Sequence, residues 1–361
     1  MTLRKLFLCI FGLAVLTSTV LLLGIEEVLV PMRQVNPGIF ALLILMQVLT
    51  LLVPAMQWQY LLKKMKQKLS PGLVLAVILA GNYVESVTPA AKLGGEAVKV
   101  YLFHKHSNLD YDRLSVILLA LKYFSMLPFV GLASIFAGFA FISFELPRLA
   151  LSAFVFLFLI FTALLLVYYK AGKEPDPDFV QIFPFSLSSA SSQKHIPRII
   201  GRRLLVVKGK LLKVKAFVVR AARHSRKMTN RFESVVLVGT ATLVWFAYPV
   251  KTYLVAWMLG LEITLMQMAV VTFTAYLVSM VPLMPGGLGS FEATMALMFA
   301  LIGYSPAEGL AVALITRLIT YWFPLLLSAV AAAYLAMLRV HHVKSMAGKR
   351  ICQGGRVGSE T

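Results

Sequence analysis

Eight charged residues interrupt or border apolar runs in this sequence. Glu85, Lys92, Glu96 and Lys99 cluster in one region, Glu292 stands in another, and Lys122, Lys251 and Arg317 fall on long apolar stretches. A charge within a membrane is expensive and by default marks a functional position. Carboxylates there can orient cations or exchange protons, and lysine or arginine can hold a phosphate. Arg317, in "ALITRLITYWFPLLL", is too deep in its apolar run for easy snorkelling and needs a partner, with Glu292 and Glu96 as candidates. The competing reading is a buried pair that only fixes helix register. Lys122 in "ALKYFS" and Lys251 in "YPVKTY" stand beside aromatics, which suits a side chain reaching an interface. For Lys99, His104 and Lys105 a solvated rim competes with a role in ligand binding.

Two short stretches surround the acids. "PAAKLGGE" carries Pro89, Lys92, Gly94, Gly95 and Glu96, and "PGGLGSFE" carries Pro285, Gly286, Gly287, Gly289 and Glu292, with Pro282 just before it. In each, a proline precedes a glutamate by seven residues across a glycine-containing interval. Prolines and glycines break helices, and irregular backbone at membrane depth is tolerated only where protein buries it or water lines it. A tight reversal alone would explain the glycines. They would also let backbone N–H groups approach a phosphate, helped by the N-terminus of a helix starting near Gly289. "PGGLG" is not a nucleotide fingerprint, because no strand or Walker-type lysine accompanies it.

The elements that must position these residues follow from composition. The 361 residues are 59% hydrophobic and only 14% charged, against about 25% charged in ordinary soluble domains. Apolar runs near the 20-residue bilayer length recur, so the fold class is all-α and polytopic in a membrane. The first run, residues 6–24, has no clear cleavage site and reads as a retained span. Cys9 and Cys352 lie near opposite ends and suggest neither a metal site nor a disulfide framework.

The net charge of +20 does not point to nucleic acid. Residues 170–231 alone hold 15 Lys/Arg against three acids, and basic loops flanking spans are the positive-inside signal. Further apolar segments read as 38–62, 73–91, 114–143, 148–169, 233–257, 264–284, 288–303 and 307–338. "KKMKQK" (63–68), the stretch through Arg113, the 170–231 loop and the tail share one side only if 73–103 dips in and returns. The same logic makes 264–303 a second dip from the opposite side. The expectation is about six full spans plus two oppositely oriented re-entrant hairpins forming an inverted repeat. The chain divides into an N-terminal membrane part (1–169), a basic cytoplasmic loop (170–232), a C-terminal membrane part (233–340) and a basic cytoplasmic tail (341–361). Within the loop, "SLSSASS" (186–192) reads as a linker. Ile200, Leu204, Val207, Leu211, Val214 and Val218 recur at helical spacing among cations, which suits an interfacial helix.

"MPGGLGSFEA" together with "NYVESVTPAAKLGGEAVKVY" resembles the lysylphosphatidylglycerol synthase transmembrane region family, flippase-like membrane proteins, over roughly residues 5 to 340. The resemblance implies a lipid-translocating domain. It places the motif positions on Asn82, Pro89, Gly94, Gly95 and Glu96, and on Pro285, Gly286, Gly287, Gly289 and Glu292, with Arg317 following. Full-length synthases of the family add a soluble aminoacyl-transfer domain, and no such domain is expected here.

The expected function is translocation of anionic or aminoacylated phospholipids or polyprenyl-phosphate-linked lipids. Arg317, Lys92 and Lys99 would contact phosphate, and Glu96 and Glu292 would orient them. A membrane-embedded transferase, or an accessory to one, is the alternative, although no nucleophile–base pair is evident and His341 and His342 read as solvated. The expected partners are membrane lipids with anionic head groups, and further a second copy of the chain or a separate lipid-modifying enzyme. No nucleic acid, metal or cofactor is expected. The expected location is the cell membrane with both termini cytoplasmic.

Overall fold

The structure is a computed structural model that describes residues 35–88, 93–143, 228–280 and 285–354, plus single positions at 159, 162, 163 and 166. The expected span at 6–24, most of that at 148–169, the linker, the amphipathic stretch, and Pro89, Lys92 and Pro282 lie outside the described residues.

Among the described residues the regular structure is helical. In chain order the helices are α1 (Pro37–Lys64), α2 (Pro71–Val87), α3 (Leu93–His106), α4 (Tyr111–Ser143), α5 (Arg231–Met258), α6 (Leu265–Ser279), α7 (Ser290–Leu301), α8 (Pro306–Arg317) and α9 (Phe323–Gly354). A π-helical turn, Leu318–Trp322, joins the last two. Their starts are written locally. Asn36 accepts a hydrogen bond from Gly38 N–H at 2.9 Å and is followed by Pro37 at the first helical position, where the missing proline N–H is harmless. Ser70–Pro71 and Ser305–Pro306 repeat the device at α2 and α8. Asn230 with Glu233, and Thr264 with Gln267, form reciprocal capping boxes at α5 and α6.

Helices α1, α4, α5 and the run from Pro306 to Leu338 are long and apolar enough to cross a membrane. They coincide with four of the six expected spans. Helices α2, α3, α6 and α7 have 17, 14, 15 and 12 residues. At 1.5 Å per residue they reach about 18–26 Å, less than the roughly 30 Å hydrocarbon core. The backbone of α9 continues past residue 340 to Gly354.

Two apolar cores result. One gathers α2, α3 and α4 around Val77, Phe103, Ile117 and Phe124. The other gathers α5 to α8 around Val255, Met268, Phe291, Phe299 and Val312. Helix α6 serves both, giving Phe273 to the first and Met268 to the second. In the first core, α2 and α3 approach closely. A Cβ on Gly95 would stand 2.5 Å from the Gly81 carbonyl oxygen and 2.7 Å from Glu85 Cβ. Small residues at such crossings let backbones meet where lipid supplies no hydrophobic drive. Gly94 and Gly95, expected to break the hairpin, lie within the first turn of α3. At Gly95 the missing side chain is what permits this approach.

Gly95→Ala is expected to force α2 and α3 apart at a cost of about 1–3 kcal/mol. Gly72→Ala, where nothing lies within 4 Å of the new Cβ, should be neutral or slightly stabilising. Thermal unfolding of both variants in detergent checks the contrast.

Candidate functional site

The segment between α6 and α7 contains a tight turn at Pro285–Gly287. Gly286 and Gly287 have φ of 60° and 67°, a region that L side chains rarely enter. Space forbids a side chain as well. A Cβ on Gly286 would lie 2.3 Å from the Tyr321 ring, and one on Gly287 would lie 2.6 Å from Ser279 Cβ. The Gly287 carbonyl oxygen accepts from Arg317 Nη2 at 2.8 Å. Helix α7 begins one residue after Gly289, whose N–H donates to Glu292 Oε2 at 2.7 Å. The other oxygen of Glu292 accepts from Arg317 Nε at 3.1 Å. One carboxylate therefore caps a helix start and holds a guanidinium from the next span.

Glu292 and Arg317 are 2% and 6% exposed. The guanidinium carbon lies 4.3 Å from the Phe291 ring centroid and 5.3 Å from that of Tyr321, which adds cation–π attraction. Arginine has five N–H donors. Two of the Arg317 donors are used, on Glu292 and Gly287, and the others have no protein partner among the described residues. The π-turn follows Arg317 directly. Such turns often occur at functional positions, and this one carries Tyr321, whose hydroxyl donates to the Ser86 carbonyl oxygen at 3.3 Å.

The first pair of short helices carries a parallel arrangement. Glu96, in the first turn of α3, accepts from Lys122 Nζ of the following span at 2.5 Å and from Lys99 Nζ at 3.2 Å. Lys99 also faces Glu85 Oε2 at 3.8 Å. One expectation is corrected here. Lys99 is buried between two carboxylates and does not sit at a solvated rim. Lys122 is paired with Glu96 while its side chain stays 40% exposed, so the pair and the reach toward an interface coexist. His104 does lie near the helix end, where its ring stacks on Tyr111 and its Nδ1 bonds the Leu109 carbonyl.

Between the two arrangements lies a cavity of about 290 Å³, lined by Gln47, Asn82, Glu85, Trp245, Tyr248, Tyr276, Gly286, Gly287, Arg317 and Tyr321, among others. Of the expected site residues, Asn82, Gly286, Gly287 and Arg317 reach it directly. Glu292 and Gly289 stand behind Arg317, and Glu96 and Lys99 stand behind Glu85. Gln47 and the tyrosines were not legible as site residues, because polar or aromatic positions on an apolar run read equally well as core. Lys251 was expected at an interface and is 1% exposed instead. Its Nζ donates to Gln47 Oε1 at 2.5 Å and lies 4.3 Å from the Tyr248 ring centroid.

Arg317→Leu leaves the Glu292 carboxylate buried without its counter-charge, a loss expected to reach about 3–5 kcal/mol. Combining it with Glu292→Gln, which keeps an acceptor for the Gly289 N–H, should recover much of that loss. Unfolding of the single and double variants in detergent measures the difference.

Comparison with known sequences agrees with this architecture. Residues 9–328 match the lysylphosphatidylglycerol synthase TM region family. The chain is 27% identical over 336 residues to a UPF0104 membrane protein of Pyrococcus horikoshii, covering 91% of this chain and 96% of that one. It is 23% identical over 322 residues to a UPF0104 membrane protein of Methanothermobacter thermautotrophicus, covering 87% and 90%. A third, from Methanocaldococcus jannaschii, is 21% identical over 338 residues, covering 88% and 89%. With a match that spans most of its length and helices built to cross a bilayer, the chain is an integral membrane protein that belongs to the lysylphosphatidylglycerol synthase TM region family.

Proposed function

We propose that the protein is a lipid translocator. It carries the head group of an anionic or aminoacylated phospholipid, or of a polyprenyl-phosphate-linked lipid, through the cavity between its two halves. The observation that carries this reading is Arg317. A buried guanidinium lines the cavity with donors that have no partner among the described residues, and a phosphate is a fitting complement for a planar fork of N–H groups. The lining aromatics and amides give a head group further contacts, while acyl chains would remain in surrounding lipid.

The two pairs of short helices, α2–α3 and α6–α7, act as oppositely oriented re-entrant hairpins of an inverted repeat. Support comes from their sub-bilayer lengths and from the charges. In each half, the glutamate in the first turn of the second short helix pairs with a cation of the following span, Glu96 with Lys122 and Glu292 with Arg317. Inverted repeats with broken helices place their ligand where the repeats meet. The working location is the cell membrane with both termini cytoplasmic, as the basic segments imply. A second copy or a separate lipid-modifying enzyme completes the expected partners.

The test is translocation of labelled lipids by the full chain in proteoliposomes, with Arg317→Ala run beside the native protein. Native protein should move one phosphate-bearing class, and Arg317→Ala should slow that movement at least tenfold while still folding. A folded native protein that moves no lipid would sink this reading, and product formation from a lipid substrate would favour a membrane-embedded transferase.

A further inference from the structure

We infer that the head group taken by this cavity carries a hydroxyl-bearing ring, a sugar or an inositol, next to its phosphate. The inference rests on the lipid-translocator reading and narrows its substrate class. It starts from the hydrogen-bonding groups that line the cavity besides Arg317. Gln47 comes from α1, Asn82 from α2 and Tyr248 from α5. Gln47 is 1% exposed, and its Oε1 accepts from Lys251 Nζ at 2.5 Å, so its amide N–H₂ remains. Among the described residues that N–H₂, the Asn82 amide and the Tyr248 hydroxyl have no hydrogen-bond partner.

A phosphate satisfies only some of these groups. The oxygens of a phosphodiester are acceptors, so they can engage Arg317 and the two amide N–H₂ groups, but they leave the Asn82 carbonyl and the Tyr248 oxygen unmatched. A polar group buried without a partner is costly, and the rest of the ligand removes that cost by bringing donors of its own. An ammonium brings donors alone and leaves any amide N–H₂ not held by the phosphate idle. A hydroxyl both donates and accepts, so several hydroxyls together match amides and a phenol. Glu85, which Lys99 faces at 3.8 Å, adds carboxylate oxygen to the same lining.

The aromatic side chains favour a ring over an open chain. Trp245, Tyr248 and Tyr276 all line the cavity. Their ring centroids are 5.7 Å apart for the first pair and 5.0 Å for the second. Tyr276 lies 5.1 Å from Phe291, and Arg317 stands over Phe291 at 4.3 Å. A continuous series of aromatic rings thus links the guanidinium to the cavity wall. The C–H face of a cyclic polyol packs on aromatic surface while its hydroxyls point outward to amides and hydroxyls, using both the apolar body and the polar tip of tyrosine. Phosphate held at Arg317 would put the attached ring beside Tyr276 and Tyr248.

The test is titration calorimetry of short-chain lipids with the full-length protein in detergent. One set is phosphatidylinositol, phosphatidylglycerol and phosphatidylethanol of one acyl composition, all phosphodiesters of equal charge. The second set is a short polyprenyl phosphohexose and the matching polyprenyl methyl phosphate, which shows whether a glycerolipid or a polyprenyl lipid brings the ring. In at least one set the ring-bearing lipid should bind about tenfold tighter than the ringless members, as one or two added hydrogen bonds would give. Tyr248→Phe and Asn82→Ala should each cut that preference about fivefold while ringless lipids bind as before, a pattern that a loosened fold would not produce. Arg317→Ala should weaken every member. Equal binding of ring-bearing and ringless lipids in both sets, or a preference that neither variant moves, would overturn the ring and leave the translocator reading standing. Native protein that binds no lipid of either set would overturn both.

Discussion

A glutamate at the start of a short helix, gripping a cation from the next span, is the interaction on which the site depends. Glu292 closes the N-terminus of α7 through the Gly289 N–H and binds Arg317 of α8 with its other oxygen. Arg317 in turn bonds the carbonyl oxygen of Gly287 in the turn that precedes the helix. Helix start, turn and span are therefore fixed to one another by a single charged pair. Hydrogen bonding of both carboxylate oxygens is what makes so deep a burial tolerable, since a charge removed from water must recover its lost solvation from the protein. The chain uses the same connection at Glu96, where Lys122 and Lys99 share one carboxylate oxygen.

These pairs permit a polar cavity between two apolar cores. Each core packs as an ordinary interior, one around α2 to α4 and one around α5 to α8. The surfaces between them are of another kind, carrying Asn82, Glu85, Gln47, Arg317 and tyrosines. In a bilayer, polar groups at such depth survive only where protein or water satisfies them. Among the described residues, Arg317 keeps N–H donors without a protein partner, and these mark a place where satisfaction is left open. A ligand that brings negative oxygen atoms would complete it.

The sequence made part of this legible, and the division has physical reasons. Arg317 was identifiable because a guanidinium deep in an apolar run has no neutral form to retreat to and must find a partner. Glu292 followed, and the start of α7 could be placed near Gly289 from the glycine cluster. The helix starts at Asn36, Ser70, Asn230, Thr264 and Ser305 are also written in local residues, but were recognised as caps only in the structure. What depends on packing between distant segments was hidden. Lys99 lies near a basic stretch and reads as solvated until α2 supplies Glu85 and α4 supplies Lys122. Lys251 beside tyrosines reads as an interface lysine until α1 brings Gln47 across 204 residues of sequence. Gly95 looks like a breaker because glycine serves breaks and close crossings equally well, and only its contact with Gly81 reveals the crossing.

The central claim is that a polar, water-reachable cavity lies at membrane depth between the two halves. It is tested most directly by thiol accessibility in membrane vesicles, after Cys9 and Cys352 are replaced by serine. Cysteines introduced one at a time at Ser86 and Thr320, which line the cavity, would be exposed to a charged reagent that cannot cross or enter lipid. A cysteine at Leu45, on the outward apolar face of α1, would serve as reference. The account predicts that Ser86→Cys and Thr320→Cys react while Leu45→Cys does not. If both cavity positions were as unreactive as Leu45→Cys in folded protein, the cavity would be closed to water and the account contradicted.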